Sequence, residues 1–194
     1  MPAAIPSLVA PSDGECGLAS WSPTDLAGLV LPAWDEFIAI ASDVDLAAPT
    51  RLSGLTAGDL CIHLGSWPGA RTLDRLRSEA ERDDLDLADQ RGGTFDQDAH
   101  NEAVLEAHRG DPPEVIVAAL AASRDDVAAY LSSDEAAVLG QRWVRSSLGP
   151  LPMSTLAAAA PYELAVHALD LVPAGAPPPS PSLLSAGLAA LVDT

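Results

Sequence analysis

Glu163-Leu164-Ala165-Val166-His167-Ala168-Leu169-Asp170-Leu171 closes the last long helical stretch of the chain, residues 154–171. With Leu156 as the origin of its buried stripe, Ala159, Ala160, Glu163, His167 and Asp170 follow at +3, +4, +7, +11 and +14, the recurrence of one helix face. Three polar residues therefore sit on the face that periodicity turns inward. A carboxylate there is costly unless it is paired or bound to a metal. Glu163 and His167 are i and i+4, so their side chains are neighbours one turn apart, a spacing that suits two ligands of one ion and equally a plain helix-surface hydrogen bond. Asp170, at i+3 from His167, is placed to accept a hydrogen bond from a ligand histidine.

Working outward, a second helix opens at Thr56-Ala57-Gly58-Asp59, a capping box with Asp in place of Glu or Gln. Its inward stripe is Leu60, His63, Leu64 and Trp67, then Leu73 and Leu76 beyond the Pro68-Gly69 interruption. His63 is either a core histidine bonded to backbone or a third ligand facing Glu163 and His167. Two histidines and one carboxylate would leave a coordination position open, the arrangement of a catalytic site.

The first helix starts at Ser22-Pro23 and carries Leu26, Leu29, Val30, Ala33, Phe37, Ile40 and Val44 at helical spacing, with Pro32 expected to kink or split it. Residues 45–55 connect it to the second helix. Residues 78–98 are highly charged and read as a surface loop with some helix, followed by a short helix over 98–108. Asp111-Pro112-Pro113-Glu114 opens the third long helix, cap then Pro, which runs to about Leu131 through Ile116, Leu120 and Val127. Residues 132–152 read as irregular, and Pro161 is expected to bend the final long helix. No alternating strand pattern and no repeat occurs. The expectation is an all-α, antiparallel four-helix bundle with additional short helices. Its parts are a loose leader over 1–20, the bundle over 21–172, and a Pro-rich tail with a docking helix over 173–194.

Composition narrows the function classes. The 194 residues carry 28 acids and 10 bases, a net charge of −18, which argues against nucleic acid and anionic membranes as partners. Apolar runs are too short to span a bilayer, and residues 1–11 lack both basic residues and a long apolar core, so a cytoplasmic location is expected. All ten bases are Arg and the only Asn is Asn101, the residue usage of a high-GC genome, plausibly actinobacterial. Cys16 and Cys61 are not expected to pair in a reducing compartment, and no Cys-x-x-Cys occurs.

Other residues carry weaker signals. Cys61, at i−2 from His63, reads as a small buried hydrophobe. His100 and His108 fall in a charged segment and read as exposed. Trp67 and Trp143 suit core or pocket wall. Arg71, at i+8 from His63, can reach an anionic substrate or be solvated, and Arg142 and Arg145 are further candidates for a carboxylate.

Three blocks together resemble the DinB/mycothiol-dependent maleylpyruvate isomerase-like family. Leu55-Thr-Ala-Gly-Asp-Leu-Cys-Ile-His63-Leu64 is similar to the family's W-T-V-R-D-L-L-A-H-L helix, which supplies the first metal histidine. Glu163 to Leu171 resembles its closing E-x-x-x-H-x-x-D-L helix, which supplies the other two ligands. Phe95-Asp-Gln-Asp98-Ala-His-Asn101 and Asp111-Pro-Pro-Glu-Val115 resemble its middle, and order and separation match over roughly 22–172. The sequence departs from the pattern at Leu55, where an aromatic is usual, at Cys61, where an aliphatic is usual, and at Pro161.

The resemblance implies that His63, Glu163 and His167 bind a divalent metal, with zinc expected. By their positions relative to these ligands, Asp170 and Arg71 are the candidate catalytic residues, and Trp67 and Asn101 the candidate cofactor-binding residues. With the high-GC usage the resemblance implies mycothiol as cosubstrate. The leading expectation is a metal-dependent thiol S-transferase acting on an electrophilic small molecule. The alternatives are a cis–trans isomerase of a maleylpyruvate-like diacid, a metal-dependent hydrolase and a non-enzymatic binding bundle. A homodimer is also expected.

Overall fold

In the computed structural model, which describes residues 17–66, 70–82, 97–146 and 149–193, a 3₁₀ turn (Gly17–Ser20) leads into helix α1 (Pro23–Ser42). The Ser22 hydroxyl accepts from the Asp25 backbone N–H at 3.2 Å, and Pro23 occupies the first helical position, where its missing N–H costs nothing. Pro32, expected to kink or split this helix, lies inside it without splitting it.

The remaining elements follow in order: α2 (Ala57–Gly65), α3 (Ala70–Ala80), α4 (Gln97–His108), α5 (Pro113–Leu131), α6 (Asp134–Leu139), strands β1 (Trp143–Ser146) and β2 (Gly149–Pro152), α7 (Met153–Ala158), α8 (Ala160–Asp170), a 3₁₀ turn (Val172–Ala174) and α9 (Pro181–Asp193). Helices α1, α2, α5 and α8 form the bundle. α1 lies against α5 and α8, and α2 lies against α5 and touches α8. Leu26, Val30, Trp34 and Phe37 of α1, Leu60 and Leu64 of α2, Leu120 of α5 and Leu164 of α8 are fully buried between them. The molecule is thus mostly helical, and no described helix is long and apolar enough to cross a membrane.

Three details correct the sequence reading. Within 132–152, read as irregular, α6 is followed by an antiparallel strand pair that sets Trp143 opposite Pro152 and Ser146 opposite Gly149. Strands of four residues, one of them Gly-Pro-Leu-Pro, carry little pattern. The prolines are tolerated because a two-stranded ribbon has edges that need no donor. The last long helix is interrupted at Ala159, and Pro161, expected to bend it, stands in the first turn of α8. At the start of α5, Pro112 occupies the cap position, while the Asp111 carboxylate pairs with the His108 ring at 2.8 Å.

Two contacts fix α2, which carries His63. The Thr56–Asp59 capping box forms as expected, Asp59 Oδ2 accepting from the Thr56 N–H at 2.9 Å and the Asp59 N–H donating to Thr56 Oγ1 at 3.2 Å. At its other end Gly65 lies against α5. The Ser123 hydroxyl donates to the Gly65 carbonyl at 2.5 Å, and a Cβ at Gly65 would lie 3.3 Å from that of Ala119.

Helix α8 is held from outside by α9. A Cβ at Gly187 would stand 2.6 Å from the Ala165 Cβ and 3.1 Å from the Pro161 carbonyl, so these two helices touch through their backbones. The Pro-rich tail is tied down by Glu36, which accepts from the Ser180 N–H at 2.7 Å and from its hydroxyl at 2.6 Å. Gly187→Val is expected to destabilise the protein by about 1–3 kcal/mol, because α9 must move away from α8. The loss reads as a lower denaturation midpoint at unchanged slope.

Candidate metal centre

α2 and α8 meet with their polar residues facing each other. His63 from α2 and Glu163 and His167 from α8 each offer one ligand atom, and the three atoms lie within 4.8 Å of one another. The two imidazoles approach edge to face, with centroids 5.4 Å apart and planes at 85°. His167 Nε2 is 3.5 Å from Glu163 Oε2. The break at Ala159 does not disturb this arrangement, since Glu163, His167 and Asp170 all lie within α8.

The far side of His167 is fixed as well. Its Nδ1 lies 3.0 Å from Asp170 Oδ2, and Asp170 is buried to 1% exposure. The other oxygen of that carboxylate, Oδ1, accepts from Arg51 Nε at 2.8 Å and lies 2.7 Å from Arg51 Nη2. Sequence reasoning overlooked Arg51, although a buried Asp calls for a cation and Arg51 is the only base in the connector 45–55. It also overlooked Arg109, whose Nε donates to Asp59 Oδ1 at 2.7 Å and so ties α4 to the start of α2.

The electrostatics separate the two histidines. Burial and the neighbouring His167 push the pKa of His63 down. Burial also works against charge on His167, but the Glu163 and Asp170 carboxylates outweigh it and hold its pKa above the ordinary imidazole value. The hydrogen bond to His167 draws Glu163 down, against the opposing effect of burial. Because ligation requires neutral imidazole, a pKa raised in the metal-free state means that protons begin to compete above the usual imidazole range. Affinity for a divalent ion is therefore expected to weaken by about a decade per pH unit as pH falls through the raised His167 value. Titration with a metal-buffered chelator at several pH values checks this.

The donor set fits a divalent ion of zinc type: two imidazole nitrogens and one carboxylate oxygen close enough for one ion to bridge, with a partner that holds one ring in place. The other residues singled out from sequence are distributed differently. Asn101, half-buried on α4, lines an open cavity of about 550 Å³ with Glu102, Leu105, Glu106 and Arg109, whose walls include none of the three donors. His100 is exposed on the same helix, yet near enough to His63 for its charge to lower that residue's pKa. Arg71 belongs to α3, but its side chain, like all of Trp67, lies outside the described residues, as does the side chain of Arg145. Arg142 donates through Nε to the Ala80 carbonyl at 2.9 Å and so closes the end of α3, a use the sequence did not suggest. Trp143 is half-exposed on the hairpin. Cys61 is fully buried and burial pushes its thiol up to about 12.

Fold and site together define a helical-bundle protein with, among its described residues, one candidate centre for a divalent metal. The chain belongs to the family of the mycothiol maleylpyruvate isomerase N-terminal domain, whose model matches residues 30–172. Among solved structures it is similar to the crystal structure of a mutant mycothiol-dependent maleylpyruvate isomerase. That match has a TM-score of 0.63 and 17% identity, and covers 87% of this chain and 69% of the other. At that identity the likeness establishes the fold. No curated protein matches the chain.

Proposed function

We propose that His63, Glu163 and His167 hold a divalent metal at which a low-molecular-weight thiol, mycothiol in the first instance, is presented to an electrophilic small molecule. A metal bound there lowers the pKa of a sulfur ligand and so supplies a thiolate at neutral pH. The observation that carries this reading is the convergence of the three donors from α2 and α8 in a chain whose family is mycothiol-linked. The state of Cys61 supports it further. The described residues contain one cysteine, and its buried thiol, with a pKa near 12, cannot act as a nucleophile at neutral pH. Among the described residues no thiol is then available to react, which fits a sulfur supplied by a small molecule.

The chain's own residues do three things in this account. Glu163 contributes negative charge beside the two rings, Asp170 holds the Nδ1 edge of His167, and the capping box and the Gly65 contact with α5 fix the two ends of α2, which carries His63. Two outcomes are open to a thiolate so placed. It adds to a conjugated cis double bond, the former double bond rotates, and expulsion of the same thiolate regenerates the thiol and leaves the trans isomer. Alternatively the new carbon–sulfur bond is kept, the carbon that received the electron pair of the double bond takes a proton from solvent, and the product is a thioether. The family match favours the first outcome, on a maleylpyruvate-like cis diacid, over the net S-transfer that headed the sequence expectations. Metal-dependent hydrolysis is less favoured, because Asp170, its candidate base, has both oxygens engaged by Arg51 and His167.

The test incubates zinc-reconstituted protein with mycothiol and a cis diacid and follows both by proton NMR. Cis-to-trans conversion with the thiol undiminished supports the isomerase. Stoichiometric loss of thiol into a thioether supports transfer. If neither occurs while the metal remains bound, the thiolate reading fails.

A further inference from the structure

We infer that Arg51 is a positioning residue for the metal centre: by holding one oxygen of the buried Asp170 carboxylate, it keeps the other on His167 Nδ1 and leaves His167 Nε2 free to ligate. This rests on the reading of His63, Glu163 and His167 as metal ligands. Arg51 belongs to the connector between α1 and α2 and touches none of those three in the contacts described above. It meets Asp170 twice. Its side chain places Nε 2.8 Å and Nη2 2.7 Å from Oδ1, and its backbone N–H donates to the Asp170 carbonyl at 3.1 Å.

The geometry divides the carboxylate between two partners. Oδ1 faces the guanidinium and Oδ2 faces the His167 ring at 3.0 Å. A neutral imidazole carries one N–H, and the hydrogen bond made by one nitrogen decides which nitrogen keeps its lone pair. With Oδ2 accepting from Nδ1–H, the lone pair is on Nε2, the nitrogen that faces Glu163 Oε2 across 3.5 Å. Asp170 is 1% exposed, so without Arg51 its Oδ1 has little access to water and the carboxylate must rotate to find another donor. The guanidinium is suited to this task, because its planar fork brings two N–H groups to one oxygen in a fixed direction. Its own side chain is 59% exposed, so the substitution removes an anchor from the surface without opening the core.

The test uses Arg51→Gln, which keeps the backbone bond to Asp170 and removes the charge and the fork, with Arg51→Lys beside it. Ring-nitrogen NMR of the metal-free proteins, taken above the titration of both histidines, reports the His167 tautomer without any metal. Competition with a chromophoric chelator reports zinc affinity. The expected result is Nδ1–H in the wild type, a mixture of tautomers in Arg51→Gln with zinc affinity lowered by about tenfold or more, and partial recovery of both in Arg51→Lys. An unchanged tautomer in Arg51→Gln overturns the inference, and so does a shifted tautomer with unchanged zinc affinity. A shifted tautomer in a protein whose wild type takes up no metal leaves Arg51's hold on His167 standing and removes the metal reading instead.

Discussion

Alanine at His63 or at His167 is expected to lower affinity for a divalent metal by more than about a hundredfold, beyond the tenfold to hundredfold range seen when only a partner of a ligand is lost. The reasoning is geometric. Three donors lie within 4.8 Å, and removing one leaves a two-ligand site without the chelation that holds the ion. His108 provides the control: it is exposed, pairs with Asp111, and its replacement by alanine should leave affinity unchanged. Asp170→Asn should fall between these limits, since the amide can still accept from His167 Nδ1 but has lost the charge that holds Arg51. Chelator competition on the four variants gives the ranking. Equal affinity in wild type and His167→Ala would mean that the ion binds elsewhere among the many exposed carboxylates.

Phe37→Ala is expected to cost about 3–5 kcal/mol of stability, the range for removing a fully buried aromatic ring from a packed core. Phe37 is 0% exposed on α1, the helix that lies against both α5 and α8. For a domain of this size the loss corresponds to a fall in Tm of roughly 6–20 °C. Leu188→Ala is the companion measurement. Leu188 is 60% exposed on α9, and its truncation should change stability by no more than about 0.5 kcal/mol. Similar losses in both variants would place the bundle interior elsewhere than between α1, α5 and α8.

The bundle was legible because its helices announce themselves at both ends and along their faces. Ser22-Pro23 and the Thr56–Asp59 box mark two starts, and the stripes through Leu26, Phe37, Leu60 and Leu120 mark the buried side. The polar members of those stripes marked the site: His63, Glu163 and His167 were the residues a helical pattern put inside without an apolar reason, and the fold brings them together.

The parts that were not legible share a physical cause. The hairpin has four-residue strands and two prolines, so its structure comes from pairing and not from local pattern. Arg51 reaches Asp170 across 119 positions of sequence, and no spacing rule connects a connector residue to the end of α8. Arg142 was read by its charge alone, whereas its hydrogen bond to the Ala80 carbonyl is decided by where the hairpin meets α3.

The most direct test of a thiol presented at this centre is the absorption spectrum of the cobalt-substituted protein as mycothiol is added. A sulfur–cobalt charge-transfer band that grows to saturation at about one thiol per chain, and is absent in His167→Ala, is the predicted result. Cobalt bound at His63, Glu163 and His167 whose spectrum does not change with thiol would contradict the account.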